Sequence, residues 1–150
     1  MKIVKSYSTQ ITRFCTLIVV LWGCTPSPDS QLKDLNGYWE IEKVEFPDGT
    51  VKEYGINTTI DYIETTTDSS GIRKKMQPRL DGGYNTSGDQ ENFGILIKEG
   101  HLFLEYHTPL SSWEEKVIKV TEERLILRNT DNLNYFYKRF EPMNLDLKND

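Results

Sequence analysis

The sequence predicts an all-β domain, namely an antiparallel up-and-down barrel of about eight strands, with a β-sandwich as the alternative. From Tyr38 onward, β-branched and aromatic residues alternate with charged residues in short runs, which is the pattern of half-buried strands. Glycine, proline, asparagine and serine separate these runs at short and even intervals. No long apolar pattern of helical period follows Tyr38. These observations favour an antiparallel sheet over an α/β layout.

A short helix is predicted before the first strand. Ser30 can cap a turn of helix that carries Leu32 and Leu35, and Gly37 ends it. Two leucines at this spacing form a small lid for the barrel. The polar segment 25–30 contains two prolines and is predicted to be an extended tether.

The apolar residues of the first predicted strand change from one face to the other partway along it. Trp39 and Ile41 share one face, whereas Val44 and Phe46 continue on the other parity. Because side chains alternate along a regular strand, this change predicts a β-bulge near Lys43.

Residues typical of turns separate the predicted strands. The first hairpin turns at 47–49, where proline presets one dihedral angle and glycine can take a positive φ. The glycine-rich run 81–89 is predicted to be the longest loop. The remaining predicted strands cover 58–67, 72–76, 93–97, 102–106, 113–120, 124–129 and 134–140.

Large aromatic residues are the candidates for the inner face of the barrel. An eight-stranded barrel is just wide enough either to be filled by side chains or to hold one small ligand. A filled barrel and a ligand cup therefore both remain open. The candidates are Trp39, Phe46, Tyr62, Phe93, Tyr106, Trp113 and either Tyr135 or Tyr137.

The N-terminus has the order of a secretory signal peptide. Residues 1–13 are basic without an acidic residue, and residues 14–20 form an apolar run, which is shorter than the roughly 20 residues of a membrane-spanning helix. The stretch Leu21-Trp22-Gly23-Cys24 resembles the lipobox of bacterial lipoproteins, with tryptophan as a departure at its second position. The resemblance implies cleavage before Cys24 and acyl chains on its thiol. An ordinary signal peptide with an incidental cysteine is the alternative.

These boundaries divide the chain into four parts. A signal peptide covers 1–23, a lipidated cysteine and tether 24–34, a barrel domain 35–141 and a polar tail 142–150. Lipidation predicts an exported protein held in a membrane of the cell envelope by its acyl chains, foremost the outer membrane, with the domain on the periplasmic or the surface face. Several acyl chains anchor a protein almost permanently, since each buried CH₂ contributes about 0.8 kcal/mol.

Charge and cysteine usage agree with an exported domain. The whole chain carries a net charge of −5, and the signal segment removes Lys2, Lys5 and Arg13 without removing an acid. The mature domain is therefore acidic, which argues against binding to nucleic acid. Cys15 leaves with the signal and Cys24 takes the lipid, so we expect no disulfide and a domain stabilised by packing.

Two features at the ends of the predicted barrel belong together. Gly37-Tyr38-Trp39 opens the first strand after the short helix, and Tyr137-Lys138-Arg139-Phe140 forms the last strand. This pairing resembles the lipocalin family over most of the predicted domain. The resemblance implies a closed eight-stranded barrel with an apolar pocket, in which Arg139 packs over Trp39 and closes the base. One departure is the turn 130–132, which follows the penultimate strand and lacks the aromatic residue of the family's Thr-Asp-aromatic signature. The likeness is therefore to a short bacterial variant.

The polar residues do not form a catalytic or metal-binding pattern. His101 and His107 would lie about 20 Å apart on one strand, too far to share a metal ion. Glu105 and His107 could supply two ligands, but their face is predicted to be solvated. Glu114 and Glu115 are adjacent and point to opposite faces of a strand. No serine lies in a nucleophile elbow, and no cysteine thiol remains, so we expect neither enzyme activity, nor a metal, nor a cofactor.

One basic cluster stands out in the acidic chain. Arg73, Lys74 and Lys75 are consecutive, and Arg79 follows. We interpret the cluster as a solvated edge that protects the sheet. The alternative is a site for an anionic headgroup or the carboxylate of a lipid.

The function that fits these features best is binding of a small apolar or amphipathic ligand by a lipid-anchored envelope protein. Tyr62, Tyr106 and Trp113 are the candidate ligand-binding residues, because aromatic rings supply apolar area together with a polar atom. The site would open at the end away from the helix, beside the loop 82–92. The alternative function is a filled barrel that serves as a protein interaction or structural module of the envelope, and a hydrolase with an unrecognised site is a third reading.

Overall fold

The computed structural model describes residues 27–67 and 69–141. The predicted signal segment 1–23, Cys24 and the tail 142–150 lie outside the described residues. This part of the chain contains the following elements: α1 (Pro28–Leu35), β1 (Gly37–Glu45), β2 (Val51–Glu53), β3 (Ile60–Thr67), β4 (Ser70–Pro78), β5 (Tyr84–Thr86), β6 (Glu91–Lys98), β7 (His101–His107), β8 (Ser112–Val120), β9 (Arg124–Asn129) and β10 (Asn134–Arg139).

The strands form a closed antiparallel barrel. The sheet has the order β10-β9-β8-β7-β6-β4-β3-β1, and β10 also pairs with β1, which closes the barrel. β2 and β3 share one edge of β1, and β5 and β6 share one edge of β4. Each of these two pairs acts as one interrupted strand, which gives the eight positions of an up-and-down barrel. The predicted fold class is confirmed.

The predicted β-bulge is also present. The pairing of β1 with β10 shifts register between Ile41 and Lys43. The shift lets Ile41 and Val44 both face Tyr137 and Tyr135 on the inner side. The side-chain amide of Asn57 donates to the Ile41 carbonyl at 2.8 Å and thereby bridges the wall between β2 and β3.

The helix begins earlier than the sequence predicts. Ser27, not Ser30, is its N-cap, and its hydroxyl oxygen accepts a hydrogen bond from the Ser30 amide. Proline is favoured at the first helical position because its missing N–H would have no partner there, so the helix starts at Pro28 and the tether is shorter. Leu35 is fully buried in the core, and Leu32 packs against it.

The glycine-rich run is not a continuous loop. β5 lies within the predicted loop 81–89 and pairs with the end of β4, with Tyr84 opposite Pro78. Two short connections remain, at 79–83 and 87–90. The predicted loop 82–92 is therefore divided between a turn, β5, a second connection and the start of β6.

The antiparallel order gives the barrel two distinct ends. The closed end carries α1 and the turns before β4, β7 and β9. The open end carries the turns after β1, β4, β7 and β9. The inner face of the closed half is filled by buried apolar side chains, among them Leu35, Trp39, Ile63, Ile95, Leu102, Leu104, Val117, Val120, Leu125 and Leu127.

Candidate functional site

A buried arginine crosses the interior of the barrel. Arg73 on β4 donates from Nη2 to Asp61 Oδ2 on β3 at 3.1 Å and from Nη1 to Glu115 Oε2 on β8 at 3.1 Å. Its Nη2 also donates to the Tyr137 hydroxyl on β10 at 2.8 Å. The guanidinium thus links four strands around the barrel. We call Arg73, Asp61, Glu115 and Tyr137 the crossbar.

The position of Arg73 corrects the interpretation of the basic cluster. Only 8% of Arg73 is exposed, so it is no part of a solvated edge. Lys74, its neighbour, points to the outer face because side chains alternate along β4. Lys75 returns to the inner side, and its Nζ lies 2.6 Å from Asp61 Oδ1 while 64% of its side chain is exposed. The cluster is therefore split between the two faces of the barrel wall.

The crossbar was missed in the sequence, although a signal for it exists. Asp61 lies two residues before the apolar Ile63, and Glu115 lies two residues before the apolar Val117, so each acid shares a strand face with an apolar residue. Both acids therefore occupy inward positions of their strands. Opposite charges at inward positions of different strands indicate a buried ion pair, because a lone buried charge is strongly unfavourable.

The charges of the crossbar and Lys75 balance. Burial acts to raise the pKa of Asp61, but Arg73 and Lys75 outweigh it and hold that pKa below its ordinary value. Burial acts to lower the pKa of Arg73, but the surrounding phenols and carboxylates raise it well above its ordinary value. One buried cation, Arg73, and one largely exposed cation, Lys75, thus face two buried carboxylates, with Glu115 as the second acid.

Two predicted ligand-binding residues meet on the open-end side of the crossbar. Tyr106 and Trp113 are cross-strand partners, and their rings stack with centroids 4.8 Å apart and an interplanar angle of 6°. Tyr106 is fully buried, whereas Trp113 is partly buried and packs against the core, as does Tyr135. This half of the inner face is therefore lined by large aromatic rings.

Two hydrogen-bond donors at this place lack an acceptor. The Arg73 guanidinium lies near enough to the Tyr106 hydroxyl to donate to its oxygen, but the hydroxyl proton and Arg73 Nε are buried without an acceptor among the described residues. Burial raises the pKa of Tyr106 well above its ordinary range, although Arg73 opposes the shift. The phenol therefore stays protonated and can donate a hydrogen bond.

The third predicted ligand-binding residue does not join the other two. Tyr62 lies between the buried Asp61 and Ile63, so it points to the outer face. There its ring lies 4.9 Å from that of Tyr38, and its hydroxyl donates to Glu64 at 3.0 Å. Phe46 is likewise not an inner residue, since it is 37% exposed at the first hairpin. The expectation that these two rings line the interior is wrong.

The closed end holds the other residues singled out in the sequence. The guanidinium carbon of Arg139 lies 3.8 Å from the centroid of the Trp39 ring, and Trp39 Nε1 donates to the Leu35 carbonyl at 2.8 Å. Gly37 has a φ of +126°, and a Cβ at this residue would collide with Arg139. A glycine is therefore required where the chain passes the guanidinium.

No metal site is seen in the described part of the chain. Residues 27–67 and 69–141 contain no group of three or more histidine, cysteine, aspartate or glutamate side chains placed to hold an ion. His107 Nε2 lies 3.2 Å from Glu105 Oε2, and the His107 side chain is largely exposed whereas that of Glu105 is half-buried. Within the same ranges, no helix has the length and apolar character to cross a bilayer.

A known protein family matches most of the barrel domain. The family model described as a lipocalin-like domain matches residues 35–127. A lipocalin-like protein from Bacteroides uniformis shares 15% sequence identity, with 71% of this chain and 99% of that chain covered and a TM-score of 0.45. An uncharacterised protein from Bacteroides eggerthii shares 13% identity over 71% of this chain and 99% of that one, with a TM-score of 0.44. Among curated proteins, none matches the sequence.

Proposed function

Because the chain belongs to the lipocalin-like domain family, we propose that it is a ligand-binding protein of the cell envelope. It is exported, anchored in the outer membrane by acyl chains on Cys24, and faces the periplasm or the cell surface. Its barrel binds a small apolar or amphipathic ligand at the open end. It performs no catalysis and uses no cofactor or metal.

The observation that supports ligand binding is the contrast between the two halves of the inner face. The closed half is filled by fully buried apolar side chains. On the other side of the crossbar, Trp113 and Tyr135 are only partly buried, and the Tyr106 hydroxyl beside them donates to no acceptor among the described residues. Ligand sites in proteins are typically apolar with a few polar groups that fix orientation.

Native mass spectrometry of the protein purified from its own membrane tests this function. We expect a small molecule that is retained by the wild type and by Phe136→Ala, because Phe136 lies on the outer face under Lys43. Trp113→Ala should lose it. A wild-type spectrum without any retained molecule, together with no saturable binding of amphiphiles, would contradict ligand binding.

The anchor has a separate test. Cys24→Ser should release the domain as a soluble protein or leave the signal peptide uncleaved. Cys15→Ser is the matched control, because this cysteine lies within the apolar run and its change should leave anchoring intact. If the cleaved Cys24→Ser chain still partitions fully into membranes, the anchor is not at this residue.

A second candidate function is supported by the turns of the open end. Leu80 is 81% exposed and Leu110 is 96% exposed. Exposed apolar residues on a rim favour contact with another protein. A photo-crosslinking residue at position 110 should then capture one envelope protein in cells, whereas the same residue at position 118, on the outer wall, should not.

A further inference from the structure

The crossbar limits how deep a ligand can enter the barrel. Arg73 reaches from β4 to β8 and β10, so its guanidinium and the paired carboxylates span the interior. On the closed-end side of the crossbar, Leu102, Val117 and Leu125 are buried. A long acyl chain would therefore have to pass a layer of ion pairs and displace packed apolar side chains. A compact molecule can stay on the open-end side.

The charge balance limits which polar group the ligand can carry. Arg73 and Lys75 already neutralise Asp61 and Glu115. A ligand carboxylate placed beside this cluster would be a buried negative charge without its own counterion, which is strongly unfavourable. An uncharged group adds no such penalty.

The unpaired atoms specify the hydrogen-bonding role of that group. Arg73 Nε carries a hydrogen and can only donate. The Tyr106 hydroxyl can also donate its proton, and neither of these two buried donors has an acceptor among the described residues. Leaving a buried donor without an acceptor is unfavourable, because the donor has lost its hydrogen bonds to water. A ligand oxygen that accepts from them would remove this penalty.

Trp113 controls access to these donors. Its ring stacks on Tyr106, and it is the more exposed member of the pair. A shift of the Trp113 ring toward the open end would let a flat ligand stack in its place. Stacking between offset aromatic rings stabilises a complex beyond the effect of the buried area.

We infer that the ligand is a compact aromatic molecule with an uncharged hydrogen-bond acceptor, and that it enters the barrel with this polar end first. The acceptor binds the Tyr106 hydroxyl and Arg73 Nε, and the ring lies between Tyr106 and Trp113. This ligand class rests on the proposed ligand-binding function and narrows it. It excludes long-chain fatty acids, whose carboxylate and chain both conflict with the crossbar.

Isothermal titration of the Cys24→Ser protein, taken in the cleaved form that is released from the membrane, tests the ligand class without detergent. The probes are 2-acetylnaphthalene, 2-ethylnaphthalene and 2-naphthoate, which share one ring system but carry an uncharged acceptor, no acceptor and a charge. Dodecanoate is the long-chain probe. We expect the ketone to bind about tenfold more tightly than any of the other three at pH 7, the size of one well-made hydrogen bond.

Tyr106→Phe shows whether the hydroxyl is responsible. Because this hydroxyl donates to no acceptor among the described residues, its removal should leave the barrel folded. The variant should bind the ketone about tenfold more weakly and 2-ethylnaphthalene unchanged. Tyr62→Phe, a matched change on the outer face, should alter neither affinity.

The possible failures are distinct. Dodecanoate or 2-naphthoate binding as tightly as the ketone would overturn the ligand class but leave ligand binding standing. An equal loss for both neutral naphthalenes in Tyr106→Phe would overturn the role of the hydroxyl. If no probe binds saturably, the inference is wrong, and the native mass spectrum decides separately whether the barrel holds a ligand of another class.

Discussion

The two ends of the barrel each place an arginine against an aromatic residue, but they treat its polar atoms differently. At the closed end, Arg139 donates from Nε to the Glu122 carbonyl, from Nη1 to that of Asn36 and from Nη2 to that of Asp34. All three guanidinium nitrogens are therefore used. Near the open end, Arg73 leaves Nε without a partner among the described residues.

The apolar residues of the two ends also differ in their exposure to solvent. Leu35 of α1 is fully buried and covers the closed end, whereas Leu80 and Leu110 extend into solvent at the open end. Satisfied polar atoms and buried apolar atoms are what a purely stabilising region requires. The open end departs from both rules, and such departures are typical of functional sites. The comparison assigns stability to the closed end and ligand or partner binding to the open end.

The largest expected effect comes from breaking the crossbar. Arg73→Met leaves the Asp61 and Glu115 carboxylates inside the barrel without their shared cation, and removal of one partner of a buried ion pair is unfavourable by about 3 to 5 kcal/mol. Denaturant unfolding measures this loss. Lys74→Met is the matched control on the outer face and should stay within about 0.5 kcal/mol of wild type. Equal effects of the two changes would show that the crossbar is not needed for folding.

The second prediction compares a tryptophan at each end. Trp39→Ala should lower the free energy of unfolding by about 3 to 5 kcal/mol because the ring is fully buried, and Trp113→Ala by less than half of that, since its ring is only partly buried. Arg139→Ala should be milder than Trp39→Ala. The double mutant of Trp39 and Arg139 should show a coupling of about 0.5 to 3 kcal/mol, and strict additivity would contradict their contact.

The same comparison shows what could be predicted from the sequence. Trp39 and Arg139 were found because they lie in short motifs at the two ends of the domain, and the bulge near Lys43 was found because it changes a local alternation. The crossbar joins residues that are up to 64 positions apart, and no local pattern reports which charges meet. Tyr62 was assigned to the wrong face because its strand carries large side chains on both faces. The inward position beside it belongs to Asp61, a charged residue. Register, rather than residue type, decides such positions.

The third prediction concerns how the stability of the crossbar depends on pH. The Asp61 carboxyl has a pKa below its ordinary value of 3.8 because Arg73 and Lys75 outweigh its burial. A depressed folded pKa contributes stability that is present above the unfolded pKa and is lost as the pH falls through the folded one. The free energy of unfolding should therefore fall as the pH is lowered below about 4, as followed by denaturant titration at several pH values. Asp61→Asn should reduce the dependence of the free energy of unfolding on pH in this range. If the variant loses stability at low pH as the wild type does, another group causes the loss.

The smallest expected effect belongs to the exposed leucines of the open end. Leu80→Ser and Leu110→Ser remove apolar side chains that are already in water, so each should change the free energy of unfolding by no more than about 0.5 kcal/mol. Leu35→Ala at the closed end should lower it by about 2 to 5 kcal/mol, since the side chain is fully buried. If both serine changes leave stability intact and Leu80→Ser abolishes crosslinking at position 110, then the rim is a binding surface. If they destabilise the barrel as much as Leu35→Ala does, the two leucines are structural, and the division of roles between the two ends is wrong.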